Sequence, residues 1–352
     1  MAVMNMVIQI TRSWVHRKFF IMRAILMTDV GPADVLKLTE VDEPQISSPT
    51  QIKVRLKAAA VNPVDTKLRD RGLFYPDALP AILGCDGAGE VVETGENVTR
   101  FMKGDDVWFC HGGLGGAAGN YAEYTVLDEK EAEMKPRRIS FEQAAALPLV
   151  AITAWEALFD RAGLKARQTV LIHAGAGGVG HVAIQLAKSA GARVCTTVST
   201  DEKANFVRRL GADKVIRYQD CDFVEEVMKW TNGEGVDVVL DSIDGDIFQR
   251  SLSAAKVYGH VNTLLDPGTD IDWKEARNRN LSISFTLMLT PMLMDLAEAR
   301  RRQNKILHRC AKLITDFKLK AVVSDVMPLK DAAIAHQMIE QGHVQGKIVL
   351  SI

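Results

Sequence analysis

Between residues 22 and about 124, apolar and polar positions alternate in short runs. Ile52-Lys-Val-Arg-Leu-Lys57 changes character at every step, the period of an extended strand with one buried face. Glu90-Val-Val-Glu93 and Asp106-Val-Trp-Phe109 predict further strands, punctuated by Gly95-Glu-Asn97 and Lys103-Gly-Asp105. This half reads as an antiparallel, β-rich domain with irregular loops. After Ser140 the rhythm changes. Residues 141–159 predict a helical stretch interrupted at Pro148. Strand 169–173, helix 179–190, strand 193–198, helix 201–210 and strands 214–216 and 236–240 follow. Strands alternating with helices across short turns predict a parallel, doubly wound sheet. Near the end, residues 330–341 predict a helix and residues 346–352 a last strand. The fold class expected is α/β in two domains.

Composition narrows this reading. A chain of 352 residues exceeds what one hydrophobic core usually supports, which favours two domains. A formal net charge of −1 gives no electrostatic case for nucleic acid or an anionic membrane surface. No stretch is apolar for long enough to span a bilayer. The five cysteines are odd in number and include no C-x-x-C pair, which argues against a disulfide framework and points to the cytoplasm. Residues 1–28 lack acidic side chains and carry four basic ones, Arg12, Arg17, Lys18 and Arg23. Residues 1–21 are expected to be an extension ahead of the first domain, with a transit peptide as the alternative.

The most specific local signal is Gly175-Ala-Gly-Gly-Val-Gly180. It follows an apolar strand and opens a run of good helix formers. Glycines there let the backbone turn tightly and approach a pyrophosphate, whose charge the helix N-terminus receives. Gly175, Gly177, Gly178, Val179 and Gly180 are therefore the expected core of a dinucleotide site. An NAD site usually has Asp or Glu at the end of the second strand, to bind the ribose 2′-hydroxyl. Here that position is Val198, followed by Ser199, with Lys203 one helical turn later. Asp201 reads as helix-start chemistry. Lys203, Ser199 and Tyr218 predict contacts to a 2′-phosphate, hence NADPH. One charge-assisted hydrogen bond, about 1.5–3 kcal/mol, suffices for that preference.

With these elements placed, the chain resembles the medium-chain dehydrogenase/reductase superfamily in its zinc-independent quinone oxidoreductase branch, and is similar to proteins labelled zinc-type alcohol dehydrogenase-like. The likeness runs from Met22 to Ile352. It rests on Val61-Asn-Pro-Val-Asp-Thr-Lys67, Leu83-Gly-Cys-Asp-Gly-Ala-Gly89, Lys103-Gly-Asp-Asp-Val107 and Gly119-Asn-Tyr-Ala-Glu-Tyr124. It continues in Ala146-Leu-Pro-Leu-Val-Ala-Ile-Thr-Ala154, the glycine turn and Gly346-Lys-Ile-Val-Leu350. The resemblance implies a GroES-like catalytic domain (22–148 and 289–352) interrupted by a Rossmann domain (149–288), with the active site between them. It also implies that Asn62, Thr153 and the loop around Ser242 lie near the nicotinamide end, that Lys347 lies near the cofactor, that the segment near Phe285 lines the cleft, and that two copies form a dimer through the Rossmann domain.

Zinc-dependent relatives use Cys, His and Cys ligands. Asn62 stands at the first of these positions and Cys85 at the second, and the third is missing near Leu149. The structural four-cysteine lobe is also missing. Cys85 and Asp86 make at most two ligands where catalytic zinc needs three, and Cys110 and His111 point apart on a strand. Cys85 then reads as a small buried hydrophobe. Without a metal, positioning a hydride donor against a quinone or enone is the chemistry within reach. For the proton, the resemblance puts Tyr75, in Gly72-Leu-Phe-Tyr-Pro76, where related enoyl reductases place a tyrosine beside the substrate, and Lys67 and Asp65 are the alternatives, beside Asn62. His173 reads as a buried, hydrogen-bonded residue and His181 as packing or capping. The methionine-rich stretch 284–294 is a candidate substrate wall. An enoyl-thioester reductase would need a basic groove, and Arg300-Arg-Arg302 reads as a solvated helix face. An NADPH-binding protein without turnover is the remaining alternative.

Overall fold

The computed structural model describes residues 20–243 and 245–352, so the expected N-terminal extension lies, up to residue 19, outside the described residues. Two sheets organise the chain. The first has seven strands around Gln51–Ala60, whose alternating side chains put Ile52, Val54 and Leu56 into a core. This strand pairs antiparallel with Asp86–Thr94 on one edge. On its other edge it pairs with Tyr124–Asp128 along its first half and Lys347–Ser351 along its second. The C-terminal strand therefore returns to the N-terminal sheet, bringing Val323–Pro328 with it. A smaller sheet of Leu36–Asp42, Ile21–Met27 and Ala81–Ile82 lies alongside.

The second sheet is parallel throughout, in the spatial order Lys214–Arg217, Arg193–Val198, Thr169–Ile172, Val236–Asp241, Ala255–Thr263, Ser282–Phe285. Thr169–Ile172 sits where the strand order reverses, the place at which open α/β sheets bind ligands. Its Val170, Leu171 and Ile172 are buried, as both faces of a covered parallel sheet require. The expected α/β class, a GroES-like sheet domain beside a Rossmann sheet, is what the chain adopts.

Local chemistry sets the helix starts. Pro148 ends one short helix, Phe141–Ala145, and opens another, Pro148–Trp155, where its missing amide costs nothing. Thr200 caps Asp201–Arg209 by accepting from the Lys203 amide at 3.2 Å. The expected late helix is Ala332–Gln341. One expectation is corrected. In the helix Ala297–Thr315, Arg301 and Arg302 are exposed but Arg300 is buried. Its guanidinium donates to the Cys110 carbonyl at 3.2 Å and meets Glu131 at 3.0 Å, because a buried charge needs a partner. Among the described residues no helix is long and apolar enough to cross a membrane.

Candidate active site

The glycine turn begins at His173, where Thr169–Ile172 ends. A Cβ on Gly175 would lie 2.0 Å from Thr196 Oγ1, and one on Gly180 2.3 Å from the Ala174 carbonyl oxygen. Both positions are closed to any side chain by the neighbouring strand and by the turn itself. Gly177 and Gly178 are less crowded, with nearest atoms at 3.3 Å. The helix Gly178–Ser189 makes its first bond from the His181 amide to the Gly177 carbonyl, 3.0 Å. The amides of Gly178, Val179 and Gly180 thus have no intrahelical acceptor, and the positive helix end adds to them. This cradle fits a pyrophosphate.

On one side of the turn lies a cavity of about 420 Å³. Thr197, Ser199, Lys203 and Tyr218 line it together with Phe223 and Ile243, and among the described residues no carboxylate does. Asp201 is instead ion-paired with Arg217. Lys203 is the cation among the cavity's described lining residues. His173, also in the wall, is held neutral: its Nδ1 bonds Thr197 Oγ1 at 3.1 Å, its Nε2 bonds Ser251 Oγ at 2.9 Å, and burial lowers its pKa to about 3. His181 is likewise buried, with Nδ1 on the Gly177 carbonyl at 3.0 Å. One lining segment, Gly342–Val344 with His343, carries no motif that marks it in the sequence. It reaches the cavity because the Gly346 amide donates to the Ala176 carbonyl, 2.9 Å, inside the glycine turn.

On the other side lies a cleft of about 440 Å³ between the two sheets' domains. Asn62, Lys67 and Thr153 line it beside Phe74, Val179 and Met288. Asn62 caps the helix Pro63–Arg71 and sits in a buried polar cluster. Its amide Nδ2 donates to Asp86 Oδ2 at 2.9 Å, and its Oδ1 accepts from Lys347 Nζ. Lys347 also donates to the Val61 carbonyl at 2.9 Å and stands 3.8 Å from Asp86 Oδ2. Asp86 Oδ1 accepts from the Leu149 amide at 2.8 Å. Both ends of the Asn62 amide are thus occupied, so its orientation is fixed. Burial pushes the Asp86 carboxyl up to about 6 against the pull of the Lys347 ammonium and the Asn62 amide. Burial likewise raises Asp65 to about 7, although the Asn62 backbone amide and the Tyr121 hydroxyl donate to it. Burial also lowers Lys347, with Asp86 and Asp65 opposing. Lys347 therefore lies beneath the site, where its stem packs against Gly178.

Two expected site residues, Tyr75 and Phe285, lie outside the cleft lining. Tyr75 is turned away from the cleft. Its hydroxyl donates to the Leu293 carbonyl at 3.3 Å, in a separate cavity of about 140 Å³ that includes His111, Glu131 and Arg300. The neighbouring Phe74 forms the cleft wall and has no proton to give. Phe285 is exposed on the outer strand, and residues 286–289 line the cleft in its place. Ser242 Oγ lies 3.4 Å from the His173 carbonyl, at the strand ends. Thr153 Oγ1 donates to the Leu149 carbonyl at 2.7 Å, which leaves its lone pairs towards the cleft. Zinc does not fit the donors present. Cys85 is fully buried, Asp86 is occupied by hydrogen bonds, and His111 Nδ1 is held by Glu131 at 2.5 Å. Among the described residues no three His, Cys, Asp or Glu side chains converge.

Comparison with known proteins agrees with this geometry. Residues 48–137 match the alcohol dehydrogenase GroES-like domain, and residues 210–350 match the family described as zinc-binding dehydrogenase. Quinone oxidoreductase 1 of Escherichia coli K12 is 32% identical over 91% of this chain and 96% of its own. The quinone oxidoreductase of Pseudomonas aeruginosa is 33% identical over 91% and 96%. The crystal structure of an E. coli quinone oxidoreductase complexed with NADPH superposes with a TM-score of 0.84. That protein is 31% identical, and the match covers 94% of this chain and all of the other.

Proposed function

Because the chain belongs to the medium-chain dehydrogenase/reductase superfamily, among its quinone-oxidoreductase-like members, and is a nicotinamide-dependent oxidoreductase, we propose that it uses NADPH to reduce quinones and other conjugated carbonyls without zinc. The observation that carries the cofactor choice is the cavity beside Val198. It offers the Lys203 ammonium and the Ser199 and Tyr218 hydroxyls to a 2′-phosphate, with no described carboxylate to repel it. Gly177 to Gly180 would hold the pyrophosphate, and Val179, Thr153 and Asn62, which line the cleft, would hold the nicotinamide end.

The dinucleotide, when bound, supplies a hydride. The chain's own residues then do three things. Asn62, locked by Asp86 and Lys347, holds the nicotinamide end in one orientation. Phe74 and Met288 exclude water from one face of a flat acceptor and bring the reactants together, the main source of rate in such a site. Lys67, a cation further along the cleft wall than Asn62, gives the cleft a positive potential that favours negative charge on the acceptor, and solvent supplies the proton. The domain limits 22–148, 149–288 and 289–352 belong to this reading. So does a homodimer formed through the outer strand Ser282–Phe285, where Tyr258, Phe285 and Leu287 are exposed. All five cysteines are free, which suits the cytoplasm.

The test is oxidation of NADPH with 1,4-benzoquinone, 9,10-phenanthrenequinone and crotonyl-CoA as separate acceptors. Turnover of the quinones supports the reading. Preference for crotonyl-CoA makes the enzyme an enoyl-thioester reductase. Binding of NADPH with no turnover of any acceptor makes it a binding protein.

A further inference from the structure

The helix Pro63–Arg71 presents Val64, Lys67, Leu68 and Arg71 to the cleft, the i, i+3, i+4, i+7 face of a helix. Lys67 and Arg71 are the cleft's only described charged lining residues, and both are cations. Neither is neutralised. Lys67 has no ion-pair or hydrogen-bond partner among the described residues, and Arg71 Nε approaches only the exposed Asp70, at 4.0 Å. Asp65 of the same helix is buried beneath it on Tyr121 and the Asn62 amide. The rest of the lining is almost wholly apolar, including Phe74, Leu265, Leu287 and Met288. A wall that would suit a neutral quinone therefore carries a double positive charge at one end.

From these positions we infer that the preferred acceptor is an apolar conjugated carbonyl compound bearing an anionic group, a carboxylate, away from the reacting double bond. This inference rests on the reductase reading above and adds the substrate class. The helix itself sets the spacing. Lys67 lies five residues and Arg71 nine residues beyond Asn62, about 8 and 14 Å along the axis. An acceptor whose β-carbon meets the nicotinamide near Asn62 thus has its carboxylate beside Lys67 and within reach of Arg71 only if several carbon atoms separate the two groups. In the reaction the hydride, with both electrons, forms a bond to the β-carbon as its bond to the dihydronicotinamide carbon breaks. The π-pair moves onto the carbonyl oxygen, and as it returns to re-form the C=O bond the α-carbon takes one proton from solvent, leaving the saturated ketone and NADP+. The distal carboxylate takes no part in these bond changes. Its pairing with Lys67 and Arg71 lowers KM and fixes which end of the acceptor enters first.

The probe is 4-(3-oxobut-1-enyl)benzoate, a flat enone with a carboxylate across a phenylene spacer, compared with its neutral carboxamide at saturating NADPH. The wild-type protein is expected to favour the carboxylate in kcat/KM by roughly tenfold or more at low salt. That ratio should fall towards one at high salt, since both cations are open to solvent. Arg71→Ala and Lys67→Met are each expected to reduce the ratio several-fold, and Arg71→Lys to retain most of it. A wild-type ratio near one, or a ratio that Arg71→Ala and Lys67→Met leave in place, overturns the inference while turnover of the carboxamide keeps the enone reading. Turnover of neither probe overturns the enone reading and the inference with it.

Discussion

Replacing Lys347 by Met removes the buried ammonium on which the Asn62–Asp86 arrangement depends. Lys347, Asn62 and Asp86 are all buried, and Asp86 would retain only the Asn62 amide at 2.9 Å and the Leu149 amide at 2.8 Å. Leaving one member of a buried pair uncompensated costs about 3–5 kcal/mol. The carboxyl can escape part of that cost by taking a proton, so the cost depends on pH. In the wild-type protein burial raises Asp86 to about 6, and the Lys347 ammonium is the largest of the influences, with the Asn62 and Leu149 amides, that keep it from rising further. A carboxyl whose folded pKa exceeds its unfolded one destabilises the fold as pH rises through that interval. Removing Lys347 extends the interval upwards. The variant is therefore expected to melt several degrees below wild type at pH 8, and much closer to it at pH 5, where Asp86 is protonated in both. Adding Asp86→Asn should recover most of the loss at pH 8. With its Oδ1 no longer fixed, Asn62 should cost kcat about ten- to hundredfold through lost alignment. Circular-dichroism melts from pH 5 to pH 9 and steady-state kinetics measure both effects. Equal melting of variant and wild type at pH 8, or the same deficit at pH 5 and pH 8, would refute this reasoning.

Lys203→Ala is expected to raise the NADPH dissociation constant about ten- to hundredfold, with NADH affinity little changed, as read by quenching of intrinsic fluorescence. Equal losses for both dinucleotides would remove Lys203 from the 2′-phosphate. Tyr75→Phe should change kcat/KM by less than a factor of about three, since the lost hydroxyl bond lies outside the cleft. Phe74→Ala should raise KM for a flat quinone, since it removes a wall of the cleft. Tyr258→Asp, on the exposed face beside the outer strand, is expected to turn a dimer into a monomer in light-scattering chromatography. A wild-type protein already monomeric at assay concentration would contradict the dimer.

The parts of the fold that could be read directly are those that local sequence determines. Thr169–Ile172, the glycine turn and Gly178–Ser189 announce themselves because strand burial, a turn closed to side chains and a helix face each constrain neighbouring residues. Pro148 and Thr200 likewise mark helix starts by their own chemistry. Long-range pairings left no such mark. Lys347 and Asn62 are 285 positions apart and meet only because Lys347–Ser351 pairs with the end of Gln51–Ala60. From sequence alone Arg300 reads as one of three solvated arginines, and only the distant Glu131 and Cys110 that face it account for its burial. The choice between Phe74 and Tyr75 depends on the direction of a loop with no period to read. Two adjacent aromatic residues in Gly72-Leu-Phe-Tyr-Pro76 are equally suited to a wall, and only packing against residues 286–293 decides which one faces the acceptor.

Everything proposed for the cleft depends on direct, metal-independent hydride transfer from NADPH to a conjugated carbonyl. The most direct measurement uses NADPH deuterated at the transferring C4 position with an enone acceptor and protein dialysed against chelator, and locates the label in the product by NMR. Undiminished turnover, one deuterium on the former β-carbon and a solvent hydrogen on the α-carbon are the expected result. Loss of turnover on chelation, or deuterium on the carbonyl carbon of an alcohol product, would contradict it.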